Sequence, residues 1–264
     1  MTTDIVTAWD TDSHADRELA AEVYQRIGRE LPEQAAHDAH PGALGTVSAR
    51  RDGELLGWAC LYRDESDGVW VEALAASRLA HGLSTTLYDA VPPDEDESAA
   101  VVALFRRAAE QAREAGVGVL RWSGEDTGAA AAAAKALGAR ELAEIARTWR
   151  AETAHYRKPS RVPSVETQEI PGVGLAAGAA RVDLEPGGTQ VFVNAAVAVR
   201  DGGAGPERLA GLFAEAVEHL RREHPRVRAL TVHEVEAEGG PVRSALELSG
   251  FGVDTRTKNF ELAL

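Results

Sequence analysis

The chain reads as an α/β protein built from two similar halves, and three observations carry that reading. Short apolar runs rich in β-branched residues alternate with longer stretches whose apolar positions recur at helical spacing. From Tyr156 to Glu166, two prolines, serines and three basic residues interrupt the pattern as a connector. The element order then repeats. Leu104-Phe105 and Leu212-Phe213 fall on matching helices 108 residues apart, and Val91 and Val199 end matching strands at the same offset. Gly138 and Gly250 each follow a later helix, 112 residues apart. Three matches in one order predict an internal duplication, with halves at 1–151 and 167–264 around a connector at 152–166.

In the first half, Ile5–Trp9 reads as a strand and Ala15 to about Ala36 as one or two helices, with Leu19, Val23, Ile27 and Leu31 at helical spacing. Pro41-Gly42 breaks the chain. Gly45–Ala49 and Leu55–Tyr62 then flank Arg51-Asp52-Gly53, a hairpin signal. Val69 to about Leu79 and Leu83–Val91 read as a further strand pair, the first ambiguous with helix because of its alanines. The loop Pro92-Pro93-Asp94-Glu95-Asp96-Glu97 leads through Ser98 into a helix to Ala115. Val117–Trp122 is a strand, Thr127–Leu137 a helix and Glu144–Ala151 a strand. In the second half, strands near Gly174–Leu184 and Gln190–Val199 precede a glycine loop and a helix at Pro206–His224. A strand at Val227–Val235, a helix near Gly240–Ser249 and a strand at Thr257–Leu264 follow.

Composition excludes several function classes. A net charge of −14 and a pI near 5.0 leave no basic stripe for nucleic acid or an anionic membrane. The single Cys60 excludes an intrachain disulfide framework and a multi-cysteine zinc site. Metal spacings, a nucleophile elbow and a Walker loop are missing, so no metal is expected. The N-terminus lacks a basic region followed by an apolar one, and no run reaches transmembrane length. A soluble cytoplasmic protein is expected.

The most informative stretch is Arg200-Asp201-Gly202-Gly203-Ala204-Gly205, set between an apolar strand run and Pro206. A strand that turns through glycines into a helix start offers unpaired backbone N–H groups at the positive end of the helix dipole, a physical site for a phosphate. Glycines permit positive φ and close approach, proline suits the first helical position, and Arg200 can add a charge-assisted bond. The plainer reading is a glycine-rich turn closed by a helix-starting proline.

With strand, loop and helix in this order, the chain resembles the GNAT acyltransferase superfamily, and within it the tandem members with two GNAT-like halves. Arg200 to Gly205 fits that family's Arg/Gln-x-x-Gly-x-Gly/Ala acyl-CoA loop, and Ala245-Leu246-Glu247-Leu248-Ser249-Gly250-Phe251 looks like its helix ending in Leu-Gly-Phe. Ala134-Lys135-Ala136-Leu137-Gly138 is the first-half counterpart. The resemblance implies two halves, each a mixed twisted β-sheet flanked by helices. It also implies an acyl-CoA-dependent N-acyltransferase, with acetyl-CoA as donor and an amine as acceptor. Main-chain groups near Val197 and Val199 would take the pantetheine arm, and Gly202, Gly203, Ala204 and Gly205 the pyrophosphate, beside Arg200.

The chain departs from the family in two places. The first half has Pro92-Pro93-Asp94-Glu95-Asp96-Glu97 at the equivalent loop; acids at a helix start fill the electrostatic place of a phosphate, so the cofactor is expected in the second half only. The tyrosine that many members place four residues before the later glycine is replaced by Ala134 and Leu246. Proton handling then falls to a carboxylate or histidine, with His233, Glu234 and Glu72 as candidates. The plainer reading of each is a solvated strand-end residue. The competing reading is a catalytically degenerate GNAT-like module that senses a ligand or binds a protein. Transfer from an aminoacyl-tRNA is disfavoured by the charge.

Overall fold

The computed structural model describes residues 4–12, 14–31, 42–63, 68–76, 95–170, 174–187, 190–195, 199–200, 203–235 and 239–264. The chain forms two compact units: Met1–Ala143 with Lys258–Leu264, and Glu144–Thr257. The expected strand Leu83–Val91, the helical reading beyond Leu31, and Asp94, Val197 and Gly202 lie outside the described residues.

The first unit contains β1 (Val6–Asp10), α1 (Ala15–Arg26), β2 (Ala43–Arg51), β3 (Glu54–Arg63), β4 (Val69–Ala75), α2 (Glu95–Glu114), β5 (Val119–Glu125) and α3 (Ala129–Leu137). The hairpin between β2 and β3 turns on two residues in the left-handed region, Asp52 (φ 53°) and Gly53 (φ 82°), with Arg51 opposite Glu54. β1, β2, β3 and β4 are neighbours in antiparallel pairs, and β4 meets β5 in parallel. The apolar stripe of α2 (Leu104, Phe105, Ala108, Ala112) is buried in one core with Trp122 of β5; the Trp122 ring lies 4.6 Å from Phe105 and 5.9 Å from Phe260. On α1, Val23 joins Leu55 and Trp58 in a smaller cluster. The first turn of α2 carries Glu95, Asp96 and Glu97, which suit the positive helix end, and Arg51 reaches Asp96 at 2.6 Å.

The second unit takes most of β6 (Arg140–Glu152), then β7 (Gln168–Ile170), β8 (Gly174–Ala177), β9 (Ala180–Asp183), β10 (Glu185–Gly187), β11 (Gln190–Asn194), β12 (Val199–Arg200), α4 (Gly205–Glu223), β13 (Ala229–Val235), α5 (Gly239–Ser249) and the start of β14 (Gly252–Ala263). One sheet runs through β6, β13, β11 and β10; a smaller one runs β12, β9, β8, β7. Leu209, Leu212, Phe213 and Val217 of α4 are buried with Val191, Val193, Leu230 and Val232 of the larger sheet and Leu246 of α5. The segment expected as one strand over Gly174–Leu184 is instead the hairpin β8–β9, because Gly178 takes φ 63° and turns the chain back.

The last strand of each half in sequence runs in part into the other half's compact unit. β6, the last strand of the first half in sequence, pairs antiparallel with β13 from Ala229↔Glu152 to Val235↔Ala146. The end of β14, last in the second half, belongs to the first unit. There Ser123 Oγ donates to Asn259 Oδ1 at 2.7 Å, Arg121 pairs with Glu261 at 3.0 Å, and Leu264 N–H reaches Gly118 O at 2.9 Å.

Candidate functional site

The site begins where two parallel neighbours part. β11 and β13 share five rungs, from Gln190↔Ala229 to Asn194↔His233. Beyond them Glu234 and Val235 pair, among the described residues, only with Arg147 and Ala146 of β6. The β11 chain goes instead to β12, where Val199 pairs with Val182 and Arg200 with Arg181 of β9. Glu185 faces Phe192 of β11 in the larger sheet, whereas Val182 faces Val199 of β12 in the smaller one. This is why Gln190–Val199 is not one strand. The first unit opens in the same way, since β4 and β5 share only Val69↔Leu120 and Trp70↔Arg121 before β4 continues on β3.

The chain reaches α4 through Gly203 (φ 76°), Ala204 (φ −76°, ψ −19°) and Gly205 (φ 73°), with Pro206 in the first turn. Ala204 is the N-cap, and its methyl side chain offers no capping oxygen. The helix start therefore leans on backbone and solvent for its exposed N–H groups. A Cβ built on Gly203 would meet no heavy atom within 4 Å, and one on Gly205 only Glu207 Oε2 at 3.7 Å. Space is open over the loop, and the positive φ alone demands glycine. Val199 packs partly buried against the core, leaving its backbone as the group that could face a ligand. A cleft of about 620 Å³ adjoins this helix start, with Ser164, Gln168, Gly178, Ala204 and Arg208 on its walls.

The three candidate proton-handling residues have different surroundings. Glu234 is fully buried; Trp149 Nε1 donates to it at 3.0 Å, and Arg243 of α5 holds it through Nε at 3.0 and 3.1 Å and through a second nitrogen at 2.8 Å. Its neighbour His233 is 5 % exposed and lies at the last rung, and its Nδ1 makes no hydrogen bond. Burial lowers the His233 pKa from its ordinary 6.5, with Glu234 opposing the shift. Glu72 stands in the first unit on β4, exposed, accepting the Tyr62 hydroxyl at 2.8 Å. Ala134 and Leu246, at the family's tyrosine positions, are core residues.

Sequence reasoning missed Arg243 and Trp149 as the partners of Glu234. One signal was available: a cation near the N-terminal end of a helix opposes the dipole, so Arg243 needed a nearby anion. Among the described residues, no group of three or more histidine, cysteine, aspartate or glutamate side chains could hold a metal ion, and no helix is long and apolar enough to cross a membrane.

Several solved structures align with nearly the whole chain, two of them with a TM-score of at least 0.50. A GNAT-family acetyltransferase from Colwellia psychrerythraea matches with a TM-score of 0.53 at 9 % identity, covering 98 % of this chain and 99 % of its own. A tandem GNAT protein from the clavulanic acid biosynthesis pathway, solved without acetyl-CoA, matches at 0.50 and 14 % identity, covering 98 % of both. The fold is that of the tandem GNAT proteins. No protein-family model and no curated protein matches the sequence. The mixed sheets flanked by helices, expected from the resemblance, are those of the tandem GNAT fold.

Proposed function

We propose that the protein is an acyl-CoA-dependent N-acyltransferase that uses acetyl-CoA and an amine, with the donor in the second unit. One observation carries this: the parallel strands β11 and β13 part at Asn194 and His233, and the parted chain leads into a loop with two positive-φ glycines at the start of a 19-residue helix. Backbone N–H groups of Gly203, Ala204 and Gly205, with Gly202 and the Arg200 charge, suit a pyrophosphate at the helix dipole's positive end. Main-chain groups near Val197 and Val199 would take the pantetheine arm. When bound, the thioester supplies an activated acyl carbon. His233, Glu234 and Glu72 remain the candidates for moving the amine proton. The first unit keeps its own carboxylates at the matching helix start, with Asp96 held by Arg51, and is left without a donor. We assign the work to the cytoplasm, with no nucleic acid or membrane as partner.

Calorimetry with acetyl-CoA tests the reading: a single site per chain is expected, and no heat at millimolar ligand with folded protein rejects it. A second reading, a non-catalytic ligand-sensing or protein-binding module, is favoured by the buried Ala134 and Leu246 and by the engagement of Glu234 with Arg243 and Trp149. It predicts binding without thiol release for any amine offered.

A further inference from the structure

Side chains alternate across β13, so its two faces differ in chemistry. Leu230, Val232 and Glu234 share the face covered by α4 and α5. Thr231 and His233 share the other, with Thr148 and Arg150 opposite them on β6. That second face is polar and largely buried: Thr231 is 1 % exposed and Thr148 6 %. Gln190 Oε1 accepts from Arg150 at 3.2 Å and from Thr231 at 3.4 Å, and Arg150 also donates to Glu152 at 2.6 Å. His233 Nδ1, at the end of the row nearest the parting, is buried and has no hydrogen-bond partner among the described residues. A buried polar atom without a partner destabilises the fold, and native proteins retain few of them without a use.

We propose that His233 Nδ1 is the proton acceptor of the transfer, placed at the last rung before β11 and β13 part. The proposal rests on the acyl-transfer reading above and selects among its candidates. Glu234 points to the opposite face, where Arg243 and Trp149 engage it; Glu72 belongs to the first unit. The amine nitrogen bonds to the acyl carbon and its proton passes to Nδ1. The carbon–sulfur bond breaks with its electron pair on sulfur, and the imidazolium returns the proton to that thiolate. His233 must be neutral to begin, and burial favours that state. Among the described residues, the charged groups near it are Glu234, next in the chain on the opposite face with Arg243 paired to it, and Arg150 with Glu152, further along its own.

Three measurements on the full chain test this. Histidine ¹⁵N spectra at pH 7 should show Nδ1 of His233 unprotonated; an Nδ1–H donor or a charged ring overturns the proposal. His233→Leu should keep or raise the urea midpoint, because it removes an unsatisfied group at similar volume; a clear fall marks a structural histidine and overturns it. Addition of acetyl-CoA should move the His233 ¹⁵N resonances, while His233→Gln keeps acetyl-CoA affinity within about threefold by calorimetry. Binding by wild type with unmoved His233 resonances sinks the proton-acceptor role alone. No binding by wild type sinks the acyl-transfer reading instead.

Discussion

Gly203 and Gly205 concentrate the site's demands in two residues without side chains. At φ 76° and 73° an L-residue costs about 1–2 kcal/mol each, and a branched side chain would also stand in the open space over the loop. The double substitution Gly203→Val, Gly205→Val is expected to abolish acetyl-CoA binding in calorimetry. Arg200→Ala should weaken it by about 1.5–3 kcal/mol if the guanidinium meets phosphate. Glu234 makes a different prediction. Removing Arg243 strands a carboxylate that is fully buried, so Arg243→Ala should cost about 3–5 kcal/mol in urea unfolding, whereas replacing both partners with apolar residues should cost far less. His233 gives stability a pH dependence. Its folded pKa lies below the ordinary 6.5, so the unfolded chain takes up the proton first. The associated stability is present above pH 6.5 and is lost as pH falls through the folded value. Urea midpoints at pH 7.5 and 5.5 should fall more for wild type than for His233→Leu. The glycines were legible in sequence because positive φ has a residue signature. The Glu234–Arg243 pair was not, because a charge on paper carries no burial.

Among elements, α2 and α4 differ in the residues that open them. α2 opens on Glu95, Asp96 and Glu97, and Arg51 closes on Asp96, which is 64 % exposed; α4 opens on two positive-φ glycines and Pro206. Neutralising the four acids at 94–97 together is expected to leave acetyl-CoA affinity within twofold of wild type. The Arg51–Asp96 pair, largely in water, contributes no more than about 1 kcal/mol to stability. An affinity change as large as that of the glycine variant would move the donor to the first unit. The two long helices were read nearly to their ends, since a 3.6-residue period over 19 or 20 residues is hard to mimic, whereas α1 stops at Arg26, short of the helical reading that ran on through Ile27 and Leu31. Strands were less legible. Gly178 is one glycine among several, and nothing in the run announces that Gln190–Asn194 and Val199–Arg200 join different sheets. That division depends on what lies beside the chain.

For the whole molecule, the decisive fact is which strands complete which sheet. Hydrophobic alternation marks β6 and β14 as strands but is silent on their partners. Most of β6 belongs to the second compact unit and the end of β14 to the first. Fragments 1–151 and 152–264 are therefore expected to be insoluble or poorly protected from proteolysis when expressed apart, and to recover a cooperative melt when expressed together. Two independently stable fragments would contradict this division.

The same division sets an order of events during synthesis. Phe260 and Leu262 sit in one core with Leu104, Phe105 and Trp122, yet the ribosome makes them more than a hundred residues after β5. Until then the first unit waits with an unpaired β5 edge and an uncovered tryptophan, a surface that invites chaperones. A product released a few residues early is thus a lesion at the start of the protein as much as at its end, and loss of Lys258–Leu264 should be read by cellular proteases as an unfolded first unit.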